Sequence, residues 1–196
     1  MATTQSSTSS SKSKSSSRSA AAKRAAETRA KDAINLLKAD HRKVEQLFKD
    51  FEKAKEDDGR KQQIAMQICN ELKVHTRIEE EIFYPESREF LKDEDIVNEA
   101  IVEHQAAKDL IAQIEGMEPS DEMYDAKVTV LQEEIEHHVK EEEAPSEGMF
   151  SQARDTDVDL VALRDRMLAR KEELLAQAEN GGLPPAQMTA VQVQMA

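Results

Sequence analysis

The 196-residue chain has no tryptophan, one cysteine, five glycines and five prolines. Few turn-forming residues, with only two tyrosines and five phenylalanines, leave little material for β-strands and predict an all-α protein. The single cysteine, Cys69, excludes an intramolecular disulfide, so we expect a reducing, cytoplasmic compartment. No apolar run approaches the roughly 20 residues that a membrane-spanning helix needs, and we expect no membrane partner.

Charge is distributed unevenly along the chain. Residues 1–31 hold seven basic residues and one acidic residue, a net charge of +6, while the whole chain carries −13. Residues 32–196 therefore carry −19, which argues against nucleic acid as a partner of the folded domain. We expect residues 1–27 to form a disordered, solubilising Ser/Lys/Arg-rich tail. Two alternatives stay open for this tail: an organelle transit peptide, and a weak tether to nucleic acid or an anionic surface.

Apolar residues recur at steps of three and four along four core segments and one C-terminal segment, which predicts amphipathic helices. Turn-forming residues at 57–59, 92–95 and 116–120 separate the core helices, and Ser120 is the expected N-cap of the fourth. Short connections between long helices predict an antiparallel up-down-up-down four-helix bundle. We assign residues 28–150 to this bundle, 151–180 to an additional amphipathic helix and 181–196 to a flexible tail.

Four of the five histidines take places in the apolar stripes of the four core helices: His41, His75, His104 and His138. Two of these histidines have a glutamate four residues later, Glu79 and Glu142. At this spacing the imidazole and the carboxylate share one helix face, about 6 Å apart along the axis. Such a pair can hold one side of a metal ion, and two facing pairs can hold two ions.

A lone histidine in an apolar stripe is more often a packed core residue than a metal ligand. Four such stripes with two buried glutamates are harder to explain in that way. Each uncompensated buried carboxylate costs several kcal/mol, against a total stability of about 5–15 kcal/mol. A cation removes that cost, so the residues predict a dinuclear site for divalent ions. Imidazole and carboxylate ligands without thiolate suit iron, manganese or zinc.

The fifth histidine, His137, lies beside His138 and also has a glutamate four residues later, Glu141. Spacing alone does not choose between the two neighbours. The direction of the apolar stripe does, since His137 lies about 100° around the helix from His138. We therefore predict His138 as the inward residue, because it continues the apolar positions Tyr124, Val128, Leu131 and Ile135.

The order and spacing of these residues resemble the hemerythrin HHE cation-binding family. The segments DHRKVEQLF, HTRIEEEIFYP, EHQAAKDL and HHVKEEE extend the resemblance over about residues 32–150. It implies an antiparallel four-helix bundle that encloses a centre of two non-haem iron ions. It also implies imidazole ligation by the four inward histidines and bridging of the two irons by two carboxylates: His41, His75, His104 and His138, with Glu79 and Glu142.

The chain departs from the oxygen-carrying hemerythrins and resembles more closely the subgroup with the pattern H-HxxxE-H-HxxxE. Lys108 stands where the oxygen carriers have a second histidine on the third helix, and Glu143 stands where they have an aspartate. One iron is then more open, or Glu45, Glu80 or Glu143 supplies a further ligand. The family's phenylalanine–proline ending is displaced to 149–151. Reversible oxygen carriage is thereby less expected than peroxide chemistry or sensing.

Three hypotheses follow. The first is a hemerythrin-like di-iron protein that binds or senses dioxygen, nitric oxide or peroxide, so that its partner is a small diatomic ligand or peroxide. The second is a di-iron enzyme with catalase-like or nitric-oxide-handling activity. The third is a metal-free helical interaction protein that associates through its C-terminal helix.

Overall fold

The computed structural model describes residues 31–54, 56–89, 91, 95–180 and 182–184. The secondary structure within these ranges is helical, without a strand, which confirms the all-α prediction. The predicted N-terminal tail lies outside the described residues, as does nearly all of the predicted C-terminal tail. Among the described helices, none is both long and apolar enough to cross a membrane.

Within the described part of the chain, seven α-helices and one π-helical segment follow one another. They are α1 (Ala33–Lys53), α2 (Asp58–Ile78), the π segment (Glu79–Phe83), α3 (Tyr84–Arg88), α4 (Asp95–Glu115), α5 (Tyr124–Glu142), α6 (Met149–Arg154) and α7 (Leu160–Glu179). The four long helices α1, α2, α4 and α5 carry the residues that sequence analysis singled out. The C-terminal stretch predicted as one helix is divided into α6 and α7.

Aspartates cap three helices, α1, α2 and α7. The carboxylates of Asp32, Asp57 and Asp159 accept backbone N–H groups from the first turns of α1, α2 and α7, which satisfies donors that have no partner inside the helix. The predicted cap at Ser120 is wrong. Helix α5 begins only at Tyr124, whose N–H donates to the carbonyl of Asp121 at 3.0 Å, so the turn runs past Ser120 before the helix starts.

The π segment continues α2 without a break and widens its last turns. Pro85 follows it and has no N–H to donate, and its ring crowds the carbonyl four residues before it. The N–H of Tyr84 reaches back five residues to the carbonyl of Glu79. This extra residue in the turn changes the directions of the three consecutive glutamates that open the segment. Single-turn π segments are frequent at functional sites.

The buried apolar residues form two clusters. The first includes Leu37, Ile78, Val97 and Phe150, and the second includes Val44, Leu72, Ile111 and Leu131. Along the chain, α1 passes from the first cluster to the second, α2 returns to the first, and α4 passes to the second again. Helix α5 begins in the second cluster. On α1 and α4 the predicted histidine lies between residues of the two clusters, and on α2 His75 lies where the helix passes from one cluster to the other.

Helix α7 packs on the outside of this arrangement. It contacts α1, α2 and the π segment, and it buries an apolar face against the first cluster through Leu163, Met167 and Leu174. The C-terminal helix therefore lies against the elements that carry His41, His75 and Glu79.

Candidate metal centre

The structure brings together all six residues predicted as metal ligands. Each is at most 5% exposed, and Glu79 is fully buried. They occupy one layer between the two apolar clusters, so the convergence expected from the stripes is present. Their role as ligands stays a prediction. The six residues are His41, His75, Glu79, His104, His138 and Glu142.

Two groups of ligand atoms share this layer. In the first group, Nε2 of His41 lies 3.1 Å from Nε2 of His75, and Glu79 and Glu142 complete the group. In the second group, Nε2 of His104 lies 3.2 Å from Nε2 of His138. Oε2 of Glu79 lies 3.1 Å from His75 and 3.4 Å from His104. Glu79 therefore belongs to both groups.

The outward nitrogen of each inward histidine faces a carboxylate from another element. Nδ1 lies 2.9 Å from the carboxylate in the His41–Glu143 pair, 3.7 Å in His75–Asp40, 3.0 Å in His104–Glu80 and 2.8 Å in His138–Glu103. A carboxylate behind Nδ1 favours a proton on that nitrogen and leaves the lone pair of Nε2 free. This is the usual arrangement around imidazoles that bind metals.

The carboxylates that were open candidates for a further ligand point away from the layer. Glu143 contacts His41 and the cations Lys38 and Arg42, at 3.2 and 2.6 Å. Glu80 contacts His104 and accepts a hydrogen bond from Lys108 at 2.6 Å. Lys108 thus holds the carboxylate behind an imidazole.

Glu45 lies on the surface, where it pairs with Lys49 at 2.6 Å. The structure therefore places these three glutamates outside the two groups of ligand atoms.

Unpaired polar atoms at the centre of the layer fit a cation. Neither oxygen of Glu79 has a hydrogen-bond partner among the described residues, and the same holds for Oε2 of Glu142. A buried carboxylate left in this state is costly unless a positive charge lies nearby. Two Nε2 atoms 3.1 Å apart have room for at most one proton between them. The lone pairs of both atoms can instead face a metal ion. The donor set is therefore suited to divalent cations.

Protonation in the layer is strongly perturbed. Burial lowers the pKa of His41 to about 4. Burial acts in the same direction on His75, but the negative charges of Glu79 and Asp40 outweigh it and raise the pKa of His75 to about 10. Burial and the charge of Glu79 together raise the pKa of Glu142. Without a cation, the layer relies on protons to balance its two carboxylates.

His138 behaves like His75. Burial opposes its charged form, but Glu142 and Glu103 outweigh burial and raise its pKa to about 8. Each half of the layer therefore has an imidazole that favours the charged form when no metal compensates the carboxylates.

Two aromatic residues at the layer escaped the sequence analysis. The hydroxyl of Tyr84 donates to Oε1 of Glu142 at 3.2 Å and lies 3.2 Å from Nε2 of His104. Burial and the charge of Glu142 raise the pKa of Tyr84 well above its usual value. Phe150 stacks on His41, with the ring centroids 5.7 Å apart.

The displaced segment 149–151 therefore still places a phenylalanine against His41, the first of the predicted ligand histidines. Gly148 makes this return possible, because a Cβ there would lie 2.6 Å from backbone atoms of Glu142 and Ala144.

The carboxylates that face Nδ1 also follow a pattern in the sequence, which is separate from the apolar periodicity. Asp40 and Glu103 each directly precede one of the predicted ligand histidines, and Glu80 and Glu143 each directly follow one of the predicted ligand glutamates. The separation of 34 residues between His41 and His75 recurs between His104 and His138. The two halves of the bundle thus repeat the same acidic neighbours.

Two cavities adjoin the layer. One, of about 10 Å³, is lined in part by His75, Thr76 and His104 and has room for about one water-sized molecule. The other, of about 300 Å³, opens between α1 and α5 and is lined in part by Phe48. His41, Ile135 and Val139 line both cavities. A small molecule that enters the larger cavity would meet Ile135, Val139 and, from the layer itself, His41.

His137 lies outside the layer, as the direction of the apolar stripe predicts. Its side chain is 60% exposed, and its Nε2 lies 3.1 Å from Glu141 and 3.6 Å from Glu103. His138, its neighbour, is buried within the layer. The structure thus separates the two adjacent histidines into one surface residue and one residue of the candidate metal centre.

Comparisons with known proteins agree with this geometry. The model of the hemerythrin HHE cation-binding domain family matches residues 32–146. A DNA nickase from Nostoc sp. (strain PCC 7120 / SAG 25.82 / UTEX 2576) is 31% identical over 110 residues, which cover 56% of this chain and 31% of the nickase. The matched region is thus about a third of that relative.

A solved structure from Mycobacterium kansasii, of a hemerythrin HHE cation-binding domain-containing protein, has a TM-score of 0.64 and 23% identity to this chain. The match covers 78% of this chain and 94% of the other. At this identity the likeness shows a common fold.

Proposed function

The chain belongs to the hemerythrin HHE cation-binding domain family, and on this premise we propose that it is a non-haem di-iron protein. Its proposed role is to bind or sense dioxygen or a related oxidant, namely peroxide or nitric oxide. The observation that carries the proposal is the double-sided arrangement of the four imidazoles: each Nε2 faces the layer, and each Nδ1 faces a carboxylate.

The two groups of ligand atoms support a site for two ions. His41 and His75 would hold one ion, His104 and His138 the other, and Glu79 and Glu142 would lie between them. The carboxylates with no hydrogen-bond partner among the described residues supply the negative charge that such ions need. Bound iron would supply redox chemistry and open coordination positions for a small ligand.

The path of the chain supports the proposed up-down-up-down bundle around this site. Helices α1, α2 and α4 pass between the two apolar clusters in alternating directions, and α5 begins in the cluster where α4 ends, as expected of antiparallel neighbours. Each half of the bundle then contributes two histidines and one glutamate, so that the ligands converge at mid-height.

The remaining residues exclude water and orient the ligands. The cavity beside the layer admits about one small molecule, and Ile135 and Val139 separate it from the larger cavity. Carboxylates 2.8–3.0 Å from Nδ1 fix the orientations of the imidazoles of His41, His104 and His138. These features suit a diatomic ligand or peroxide better than a larger substrate.

A second candidate, a catalase-like di-iron enzyme, is favoured by one observation. The Tyr84 hydroxyl lies between Oε1 of Glu142 and Nε2 of His104, in a position to hold a proton next to the two ligand groups. Decomposition of peroxide requires proton movement, and a buried phenol hydrogen-bonded to a carboxylate is suited to it. Oxygen evolution from peroxide by the iron-loaded protein would separate this activity from binding or sensing.

DNA nicking, which the name of the Nostoc relative describes, is not carried over to this chain. Residues 32–196 carry a net charge of −19, which opposes binding to a phosphate backbone. We also propose a reducing, cytoplasmic compartment. Cys69 is buried, and burial raises the pKa of its thiol to about 12, so a reactive or disulfide-forming role is disfavoured.

The proposal is tested by elemental analysis of the full chain purified from iron-supplemented cells. We expect about two iron atoms per chain, near-ultraviolet absorption from ferric ions, and a melting temperature that falls when a chelator removes the metal. A metal-free protein whose melting temperature is the same with and without chelator would support the helical interaction protein instead.

A further inference from the structure

Helix α7 lies outside the part of the chain that matches the family, yet one of its side chains reaches the surroundings of the candidate metal centre. Nζ of Lys171 pairs with Oδ1 of Asp40. Asp40 is the carboxylate that faces Nδ1 of His75. Both partners are largely buried, with side chains 12% and 9% exposed. This contact links the C-terminal helix to one of the four inward imidazoles.

The contact between Asp40 and His75 differs from its three counterparts. The distance of 3.7 Å between Oδ2 and Nδ1 exceeds that of a hydrogen bond, whereas the other three pairs lie at 2.8–3.0 Å. Both Oδ2 of Asp40 and Nδ1 of His75 lack hydrogen-bond partners within the described ranges. The position of the Asp40 carboxylate therefore decides whether it can orient the imidazole of His75. Lys171 binds the other oxygen of that carboxylate.

The second half of the bundle offers an internal comparison. Glu103 stands in the place of Asp40 there, since it precedes His104 and contacts His138 at 2.8 Å. Its other oxygen lies 3.6 Å from the exposed His137. In the first half of the bundle, a buried lysine from α7 therefore contacts the second oxygen of this carboxylate. In the second half, the exposed imidazole of His137 lies at the corresponding place.

Helix α7 is well placed to hold Lys171 in position. Its apolar residues are buried against the first cluster, and Arg170 binds Glu81 of the π segment at 2.7 Å. Arg166 also pairs with Glu86 of α3. These ion pairs fix the part of α7 just before Lys171 against α3 and against the π segment that carries Glu79.

We propose that Lys171 is a positioning residue of the metal centre, which fixes the Asp40 carboxylate so that Asp40 orients His75 for metal binding. The inference rests on the proposed metal-binding function. It assigns to the C-terminal helix a role in the affinity of the site for metal, in addition to packing. Partners of this kind typically change metal affinity by about 10–100-fold when they are removed.

The test uses the full chain loaded with Co²⁺, whose unpaired electrons shift the N–H signals of bound imidazoles in proton NMR spectra. The variants are Lys171→Met, Lys171→Arg and Asp40→Asn, together with Lys171→Met/Asp40→Asn. Arg166→Met is the matched control, because it removes a cation and an ion pair from the same helix. The rate of Co²⁺ transfer to a chelator is measured for each variant.

We expect Lys171→Met to release Co²⁺ about tenfold faster and to alter one imidazole N–H signal, the same signal that Asp40→Asn alters. The double variant should be no worse than Asp40→Asn, since Lys171 acts through Asp40. Lys171→Arg and Arg166→Met should stay near the unsubstituted protein. If Lys171→Met does not fold, Lys171→Gln, which also removes the charge, takes its place in the same comparison.

Equal release rates and unchanged N–H signals in Lys171→Met, or equal effects of Lys171→Met and Arg166→Met, would overturn the positioning role and leave the metal site intact. Additive effects in the double variant would also overturn it, because the two residues would then act separately. Failure of the unsubstituted protein to bind Co²⁺ or iron would overturn the proposed function itself, and the positioning role with it.

Discussion

Substitution of Glu79 by glutamine keeps the shape of the side chain and removes its charge at the place where the two ligand groups meet. Oε2 of Glu79 lies 3.1 Å from Nε2 of His75 and 3.4 Å from Nε2 of His104, and the residue is fully buried. A divalent ion in either group would lose a full negative charge from its immediate surroundings. We therefore expect a larger effect on the metal-loaded protein than on the metal-free protein.

The magnitude is set by the charge and the distance. Two unit charges about 4 Å apart, at an effective dielectric constant near 20, interact by about 4 kcal/mol, so removal of one charge beside a divalent ion should cost at least roughly a thousandfold in affinity. Metal at about 100 times its dissociation constant stabilises the unsubstituted protein by about 2.7 kcal/mol. Glu79→Gln gains almost no stabilisation from metal at that concentration. For a chain of this size the difference in melting temperature is roughly 5–10 °C.

The metal-free proteins should behave differently. There burial opposes the charged form of Glu79, but the charge of His75 outweighs burial and holds the pKa of Glu79 well below its usual value. Glutamine is therefore expected to lower the stability of the metal-free protein, but by less than that of the metal-loaded protein, because the imidazoles can release their protons.

The assay compares melting temperatures of Glu79→Gln, Glu141→Gln and the unsubstituted protein, each with Fe²⁺ under anaerobic conditions and with chelator. Glu141 is the matched control, because it has the same spacing from His137 but its side chain is 41% exposed. It should respond to metal like the unsubstituted protein. An unchanged metal-dependent rise in Glu79→Gln would refute the reasoning, as would an equal loss of stability with and without metal.

Three further outcomes are expected. His138→Ala should lose most of its metal in elemental analysis while His137→Ala keeps it, since the His137 side chain is 60% exposed; equal losses would reverse the assignment of the two neighbours. The pKa values of His138 and His75 in the metal-free protein, about 8 and about 10, lie above the unfolded value near 6.5. The stabilisation of the fold by these two charged imidazoles is complete below about pH 6.5 and is lost as the pH rises. The free energy of unfolding should therefore fall by about 3 kcal/mol between pH 6 and 8. A flat profile in urea titrations would contradict these shifts. Phe150→Ala removes a ring that is 2% exposed and stacked on His41, and it should lower the free energy of unfolding by about 3–5 kcal/mol in the same titrations; a loss below about 1 kcal/mol would show that the ring is not packed as described.

The choice between His137 and His138 shows how much local geometry could decide. Because the helix turns about 100° per residue, an apolar stripe that ends at His138 must leave His137 outside, and the structure agrees. The same periodicity placed four histidines and two glutamates on buried faces. Periodicity was sufficient for these residues because the core helices are long, regular and amphipathic. In such a helix, the position of a residue in the sequence determines the face on which its side chain lies.

Irregular backbone limited the prediction elsewhere. The start of α5 at Tyr124 depends on a turn held by Asp121, and the π segment depends on where the ring of Pro85 meets the preceding turn. Proline was visible in the sequence, but the directions of Glu80 and Glu81 in the widened turn were not. A single extra residue in one turn rotates every later side chain of the helix about its axis.

The sequence by itself determined the helical class, the inward histidines and the paired glutamates, since helical periodicity is a local property. Only the tertiary structure decided which carboxylate lies behind which imidazole, because those partners come from other elements. Asp40 reaches the histidine of α2, Glu143 reaches the histidine of α1, and Lys171 arrives from a helix far along the chain. Such contacts depend on how helices pack against one another, and no spacing within one helix specifies them.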